Sequence, residues 1–264
     1  MKEEISALHA GYIRRLKRHE RFVRFMRVFV LVFVLGVWEV GARVGWFDPF
    51  IMSSPTRVIE TIIRLYNEGN LWIHIGTTLF ETVMGFILGT GIGIFIAILL
   101  WWLPTLERIL DPYLVVLNAL PKIALGPILI VWIGAGTASI IVMAVLISFV
   151  VTTVSVLSGF METTEEKQLL MKTLGANKWQ IFQKVVLPAS IPNMISALKI
   201  SVGMSWVGVI VGEYLVSKAG LGYLIVYGGQ VFKLDLVMAS IVVLCVLAAG
   251  MYYAVALLES RVKR

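Results

Sequence analysis

Long apolar stretches alternate with short polar ones along this chain, and the apolar stretches have the length of membrane helices. They fall at about 28–44, within 71–103 with a core from Val83, at 106–134, 137–158, 192–215 and 236–258. Roughly 20 apolar residues cross the ~30 Å hydrocarbon layer, so each is near spanning length. The pattern predicts an all-α membrane protein with about six transmembrane helices. Two further amphipathic helices are expected outside the spans. One covers 2–27, with Ile5, Leu8, Tyr12, Leu16, Val23 and Met26 on one face and Arg/Lys on the other, lying on a membrane surface. The other begins at Ser54-Pro55-Thr56 and carries Val58, Ile59, Ile62, Ile63 and Tyr66 on one side. A short surface or re-entrant segment is expected over 220–231.

Two stretches depart from simple spans. The third span must cross Pro121 and Pro127, each without an N–H for a continuing helix, so a kink or break is expected there. Residues 163–199 form a polar island between apolar runs, bearing Glu165, Glu166, Lys167, Lys172, Lys178 and Lys184. Within it Leu169, Leu170, Thr173 and Leu174 repeat at helical spacing until Gly175, which tolerates the left-handed geometry that ends helices. Trp179, Ile181, Phe182, Val185 and Val186 form a second apolar face, which Leu187-Pro188 is expected to stop. Helix, turn, helix, stop outside the bilayer makes a compact knob suited to a groove on another protein.

Composition sharpens this picture. The 264 residues are 59% hydrophobic and 15% charged, with mean hydropathy +0.90, whereas soluble domains lie nearer ~45–50% apolar and ~25% charged. The net charge of +7 does not point to nucleic acid, because eight of the 23 Lys/Arg sit in residues 1–27, where an apolar run begins. Orientation and anionic lipid explain that placement. With both termini inside, cytoplasmic segments hold sixteen Lys/Arg and external ones four (Arg57, Arg64, Lys218, Lys233), which favours that topology. The basic arm is too long for a signal peptide. The lone Cys245 leaves no internal disulfide and no cysteine metal site.

Several constellations stand out. Gly85, Gly89 and Gly93, with Ala97, recur every four residues and let another backbone approach closely, so helix packing is their expected role. Pro121, Lys122 and Pro127 are candidates for a translocation pathway: broken backbone at membrane depth needs protein or a cavity to satisfy it, and a charge inside a span is a functional hypothesis unless its stem snorkels. Ser201 and Ser205 share a face of the fifth span and either pack or line a polar pore, and Glu213 near the outer end either closes a gate or is solvated. No phosphate-binding G-x-x-x-x-G-K-[ST], no H-E-x-x-H and no nucleophile–base arrangement is present, so the chain is not expected to be an enzyme or to hold a metal or cofactor.

Gly175, nine residues, Val185, one residue, then Leu187-Pro188 resembles the second half of the cytoplasmic coupling loop of ABC-importer permeases. The first half departs from the family pattern, with Leu169-Leu170-Met171 in place of Glu-Ala-Ala. The stretches SSPTRVIE, LDPYLVVLNALPKIALGPILIVWIGAG and GLGYLIVYGGQVFKLDLV resemble the nitrate/sulfonate/taurine branch, so that the resemblance covers about 28–258. It implies a type I ABC importer permease: a basic arm over 1–27, a transmembrane domain over 28–258 with a coupling loop at about 159–191, and a cytoplasmic tail over 259–264. It further implies that Lys172, Leu174, Gly175, Ala176, Asn177, Trp179, Leu187 and Pro188 engage a separate ABC ATPase. A solute-binding protein outside, a second permease copy, a prokaryotic cytoplasmic membrane and a small anion such as a sulfonate, taurine or nitrate complete the expectation. An ion-coupled secondary transporter and a non-transporting membrane scaffold are the rival readings; few carboxylates in the spans and no visible repeat speak against the first.

Overall fold

A computed structural model describes residues 2–163 and 165–262 and is helical in every element of that range. The chain forms two compact units, residues 1–61 and 62–264. In the first, α1 (Lys2–Val44) runs as one helix of 43 residues. It has no break at Arg27, so the basic arm and the first span share one helix; nothing between them is a helix breaker, since charge gives way to apolar residues without a proline. The residues beyond Val262 in the expected tail lie outside the described range. Helix α2 (Pro49–Met52) is capped by Asp48, which accepts from the Phe50 N–H at 2.8 Å. Helix α3 (Pro55–Asn67) begins with Pro55, and the Thr56 N–H and hydroxyl both donate to Glu39 at 3.1 and 2.8 Å. A carboxylate there meets the positive end of the helix.

The second unit holds α4 (Leu71–Trp102), α5 (Pro104–Ala119), α6 (Gly126–Ile133), α7 (Thr137–Met161), α8 (Glu165–Thr173), α9 (Lys178–Ile181), α10 (Leu187–Val216), α11 (Leu221–Gln230) and α12 (Leu234–Val262). Five stretches are long and apolar enough to span a membrane. The pair 104–119 and 122–133, bent by 86°, makes up to a sixth. The break spans Leu120–Leu125 and contains Pro121, and a short 3₁₀ turn runs from Lys122 to Leu125 ahead of Pro127.

Helix α7 is the centre of this unit, with α4 against one side and α10 against another. The expected glycine ridge is what admits α4: a Cβ on Gly85, Gly89 or Gly93 would run into Ala144, Ser148 or Thr152 of α7. A second ridge lies on α10, where a Cβ on Gly208 or Gly212 would meet the backbone of Ala144 or Ile140. Without lipid–helix hydrophobic contrast to drive association, this close van der Waals approach and the hydroxyl bonds across it hold the bundle.

One expectation is corrected. Leu187-Pro188 does not stop a helix: residues 178–216 form one continuous helical stretch of 39 residues. A π-helical turn over Phe182–Val186 precedes the proline, and the Leu187 N–H donates to the carbonyl of Phe182, five residues back. The widened turn carries the chain past a residue that has no N–H to give, and Pro188 and Pro192 both sit inside the helix that follows.

Candidate functional site

The polar island folds as a knob at one end of the bundle. Helix α8 closes in a Schellman arrangement: Gly175 has φ +78°, its N–H donates to Lys172 at 3.0 Å, and the Ala176 N–H donates to Met171 at 2.9 Å. Two residues on, Asn177 opens α9 with a capping box. Its Oδ1 accepts from the Gln180 N–H at 2.8 Å, and its own N–H donates to Gln180 Oε1 at 2.9 Å. The Asn-x-x-Gln spacing that specifies this box is visible in the sequence. The two caps fix the angle between α8 and α9 from local chemistry alone.

The knob is moored to the bundle by aromatic rings. Phe182 sits among Trp101 at 4.9 Å, Phe160 at 5.5 Å and Trp179 at 6.0 Å between ring centres. Lys178 donates from Nζ to the Trp102 carbonyl at 2.6 Å and lies 5.4 Å from the ring centres of both Trp101 and Trp102. Its charge thus satisfies a free carbonyl at the C-terminus of α4 and interacts with the rings' negative faces. Leu169, Leu170, Leu174 and Trp179 stay exposed on the knob. Of the residues expected to couple, Lys172, Leu174, Gly175, Asn177 and Trp179 are exposed and Ala176 is half-buried; Leu187 and Pro188 belong to the continuous helix beneath.

The residues expected along a pathway separate into three places. Pro121, Lys122 and Pro127 lie at the break between α5 and α6, and Lys122 Nζ donates back to the Asn118 carbonyl at 3.2 Å. Asn118 lines a groove of about 360 Å³ between α5 and α7, which also bears Glu107, Asp111 and Ser158. Ser201 and Ser205 are elsewhere, fully buried among packed helices. The Ser201 hydroxyl meets those of Thr90 at 2.9 Å and Thr152 at 3.1 Å, a three-helix clasp of α4, α7 and α10. Neither serine lines the groove.

Glu213 is the third place, at the end of the bundle opposite the knob. It is 1% exposed. Its Oε1 accepts from the Thr78 hydroxyl at 2.6 Å, and its Oε2 accepts from the N–H groups of Gly222 at 2.5 Å and Tyr223 at 3.4 Å. The Leu221 N–H donates to Thr78 Oγ1 at 2.8 Å, and the Gly220 N–H to His74 Nδ1 at 3.0 Å. The start of α11 is therefore held to α4 and α10 through its free N–H groups. The close approach requires Gly220 (φ +120°) and Gly222, where a Cβ would strike the Glu213 side chain. Glu81, wholly buried beside Glu213, is a site residue that sequence reasoning missed; a carboxylate within the second span was the available signal.

The family of binding-protein-dependent transport system inner membrane components matches over residues 89–264. The chain belongs to this family. It is 33% identical over 235 residues to a probable ABC transporter permease protein of Haemophilus influenzae, covering 88% of this chain and 95% of that one. It is 26% identical to a putative aliphatic sulfonates transport permease protein, SsuC, of Bacillus subtilis, across 96% of this chain and 92% of the relative. Its fold is similar to that of the inward-facing methionine ABC transporter MetNI, with a TM-score of 0.61 at 19% identity over 78% of this chain and 99% of that one. The protein is thus a multi-pass membrane permease subunit of the ABC type, with the type I importer fold.

Proposed function

We propose that this permease forms the path of an ATP-driven importer and that its knob, residues 165–181, is where a separate ABC ATPase docks. The observation that carries this reading is the construction of the knob. Two local caps fix its shape, exposed Leu169, Leu170, Leu174 and Trp179 give it an apolar surface, and the unbroken helical stretch 178–216 joins it to the far end of the bundle. A push on α9 has a stiff lever to act through. The Lys/Arg asymmetry supports a cytoplasmic knob and cytoplasmic termini. A solute-binding protein then delivers from the opposite side, and a second copy of the permease completes the path.

For the solute we propose a small anion of the sulfonate, taurine or nitrate kind. Lys122 at the helix break supports this, as does the similarity to a relative named for aliphatic sulfonates. Glu107 and Asp111 along the adjoining groove weigh the other way, which makes Lys122 the residue to test. Reconstituted vesicles with the cognate ATPase inside and binding protein outside should take up sulfonate only when ATP is supplied to the ATPase. Uptake driven instead by an ion gradient without ATP would favour the secondary-transporter reading.

A further inference from the structure

Glu81 on α4 and Glu213 on α10 are respectively 0% and 1% exposed, and Glu81 lies one helical turn from Thr78, whose hydroxyl donates to Glu213 at 2.6 Å, which sets the two carboxyl groups in one buried neighbourhood close to Thr137. The two are not equivalent. Glu213 is supplied with donors by Thr78, Gly222 and Tyr223. Neither oxygen of Glu81 reaches hydrogen-bond geometry with a donor among the described residues, the nearest polar groups being the Thr137 hydroxyl and the Glu213 carboxyl. A buried carboxylate without donors is costly, and a second carboxylate beside it adds repulsion in a medium that screens weakly.

Among the described residues of the second unit, no basic side chain is bonded to either carboxyl group. Helices α6 and α7 carry no titratable residue. On α4 the nearby group besides Glu81 is His74, whose Nδ1 accepts the Gly220 N–H and whose ring stacks on Tyr223 at 6.1 Å. The others near Glu213 are Tyr214 on α10 and Tyr223 on α11, both without positive charge. The lysine of α10, Lys199, lies fourteen positions before Glu213 and is paired with Glu259 of α12. Lys218 and Lys233 flank α11 in the sequence. A cation from solution would supply the positive charge that these described residues do not.

We propose that Glu81 and Glu213 together hold one monovalent cation, a proton or an alkali metal ion, and that its binding keeps α11 docked on α4 and α10. The unpartnered Glu81 oxygens face the site, and Glu213 links it to the N–H groups that open α11. Loss of the cation sets two like charges against each other and releases Glu213 from Gly222 and Tyr223. The site lies away from the knob and does not depend on the ATPase-docking assignment.

The test uses the full-length permease in proteoliposomes. Its thermal midpoint is followed from about pH 5 to about pH 10 in choline buffer, then at fixed alkaline pH while choline is exchanged for sodium or potassium. The same series is run on Glu81→Gln. The wild type should lose at least about 3 °C as the cation is withdrawn, while Glu81→Gln, one charge poorer, should stay flat. Recovery by acid in choline identifies a proton; recovery by sodium or potassium at fixed pH identifies an alkali ion. A wild type indifferent to both, or a variant that tracks the wild type, overturns the proposal. Should Glu81→Gln fail to fold, Glu213→Gln supplies the comparison, and an unresponsive wild type is decisive without either.

Discussion

Lys178 Nζ donates to the carbonyl of Trp102 at 2.6 Å, tying the first residue of α9 to the last residue of α4. The two helices are separated by 76 positions in sequence, and the contact closes the knob against the bundle where the aromatic rings gather. If force enters through the knob, this bond decides whether α4 feels it together with α10.

Lys178→Met should therefore loosen the knob without unfolding the bundle. The site is exposed, so the combined loss of the hydrogen bond and ring contacts should be about 1 kcal/mol. Amide exchange across residues 178–186 should quicken about fivefold, and ATP hydrolysis should respond less to the loaded binding protein. Unchanged exchange would show that the rings alone hold the knob.

Gly175→Val should weaken capture of the ATPase while membrane insertion stays normal. The residue is at φ +78° with no neighbour within 4 Å of an added Cβ, so the effect is backbone strain rather than collision, of about 1–2 kcal/mol for a β-branched residue. Gly175→Asn, which tolerates that conformation, should retain most function. Copurification of tagged permease with the ATPase checks both.

Gly208→Leu should abolish a folded bundle, because the side chain would be driven into the backbone of Ala144. Gly89→Leu should do the same against Ser148. Gly91→Ala is the control: nothing lies within 4 Å of its added Cβ, and the helix should gain up to about 1 kcal/mol. Size-exclusion profiles in detergent separate the three. A monodisperse Gly208→Leu protein would remove the ridge from the account.

Lys122→Met should slow anion uptake with little change in expression, and Lys122→Arg should keep partial function. The ammonium group is bound only to the Asn118 carbonyl among its described hydrogen bonds, so removing it leaves the bend between α5 and α6 intact. Wild-type uptake by Lys122→Met at saturating binding protein would reduce the lysine to an interfacial anchor.

What the sequence made legible was local. The spacing of Gly85, Gly89 and Gly93 announced a close helix contact, and Pro121 and Pro127 placed the break in the third span, because both features depend on residues within one or two turns. The π turn ahead of Pro188 was not legible, since a proline can end a helix, kink it or follow a widened turn, and the choice here goes with the packing of Phe182 among Trp101, Phe160 and Trp179. The pairing of Glu81 with Glu213 was hidden for a related reason. It depends on the rotation of α4 and α10 about α7, which the two glycine ridges set only jointly. Ser201 and Ser205 could by type either pack or line a pore, and the same rotation sets Ser201 in a hydroxyl clasp of three helices and buries Ser205.

The central claim is that the knob, rather than the opposite end of the bundle, receives the ATPase. Cysteine crosslinking tests it most directly, on a Cys245→Ser background because the native cysteine is exposed. Leu174 on the knob and Phe232 beside α11 are both well exposed, at 73% and 69%, and lie at opposite ends. Leu174→Cys should form a crosslink to the ATPase whose yield changes with ATP, and Phe232→Cys should form none. A crosslink from Phe232→Cys, or none from Leu174→Cys in an assembled and active transporter, would contradict the account.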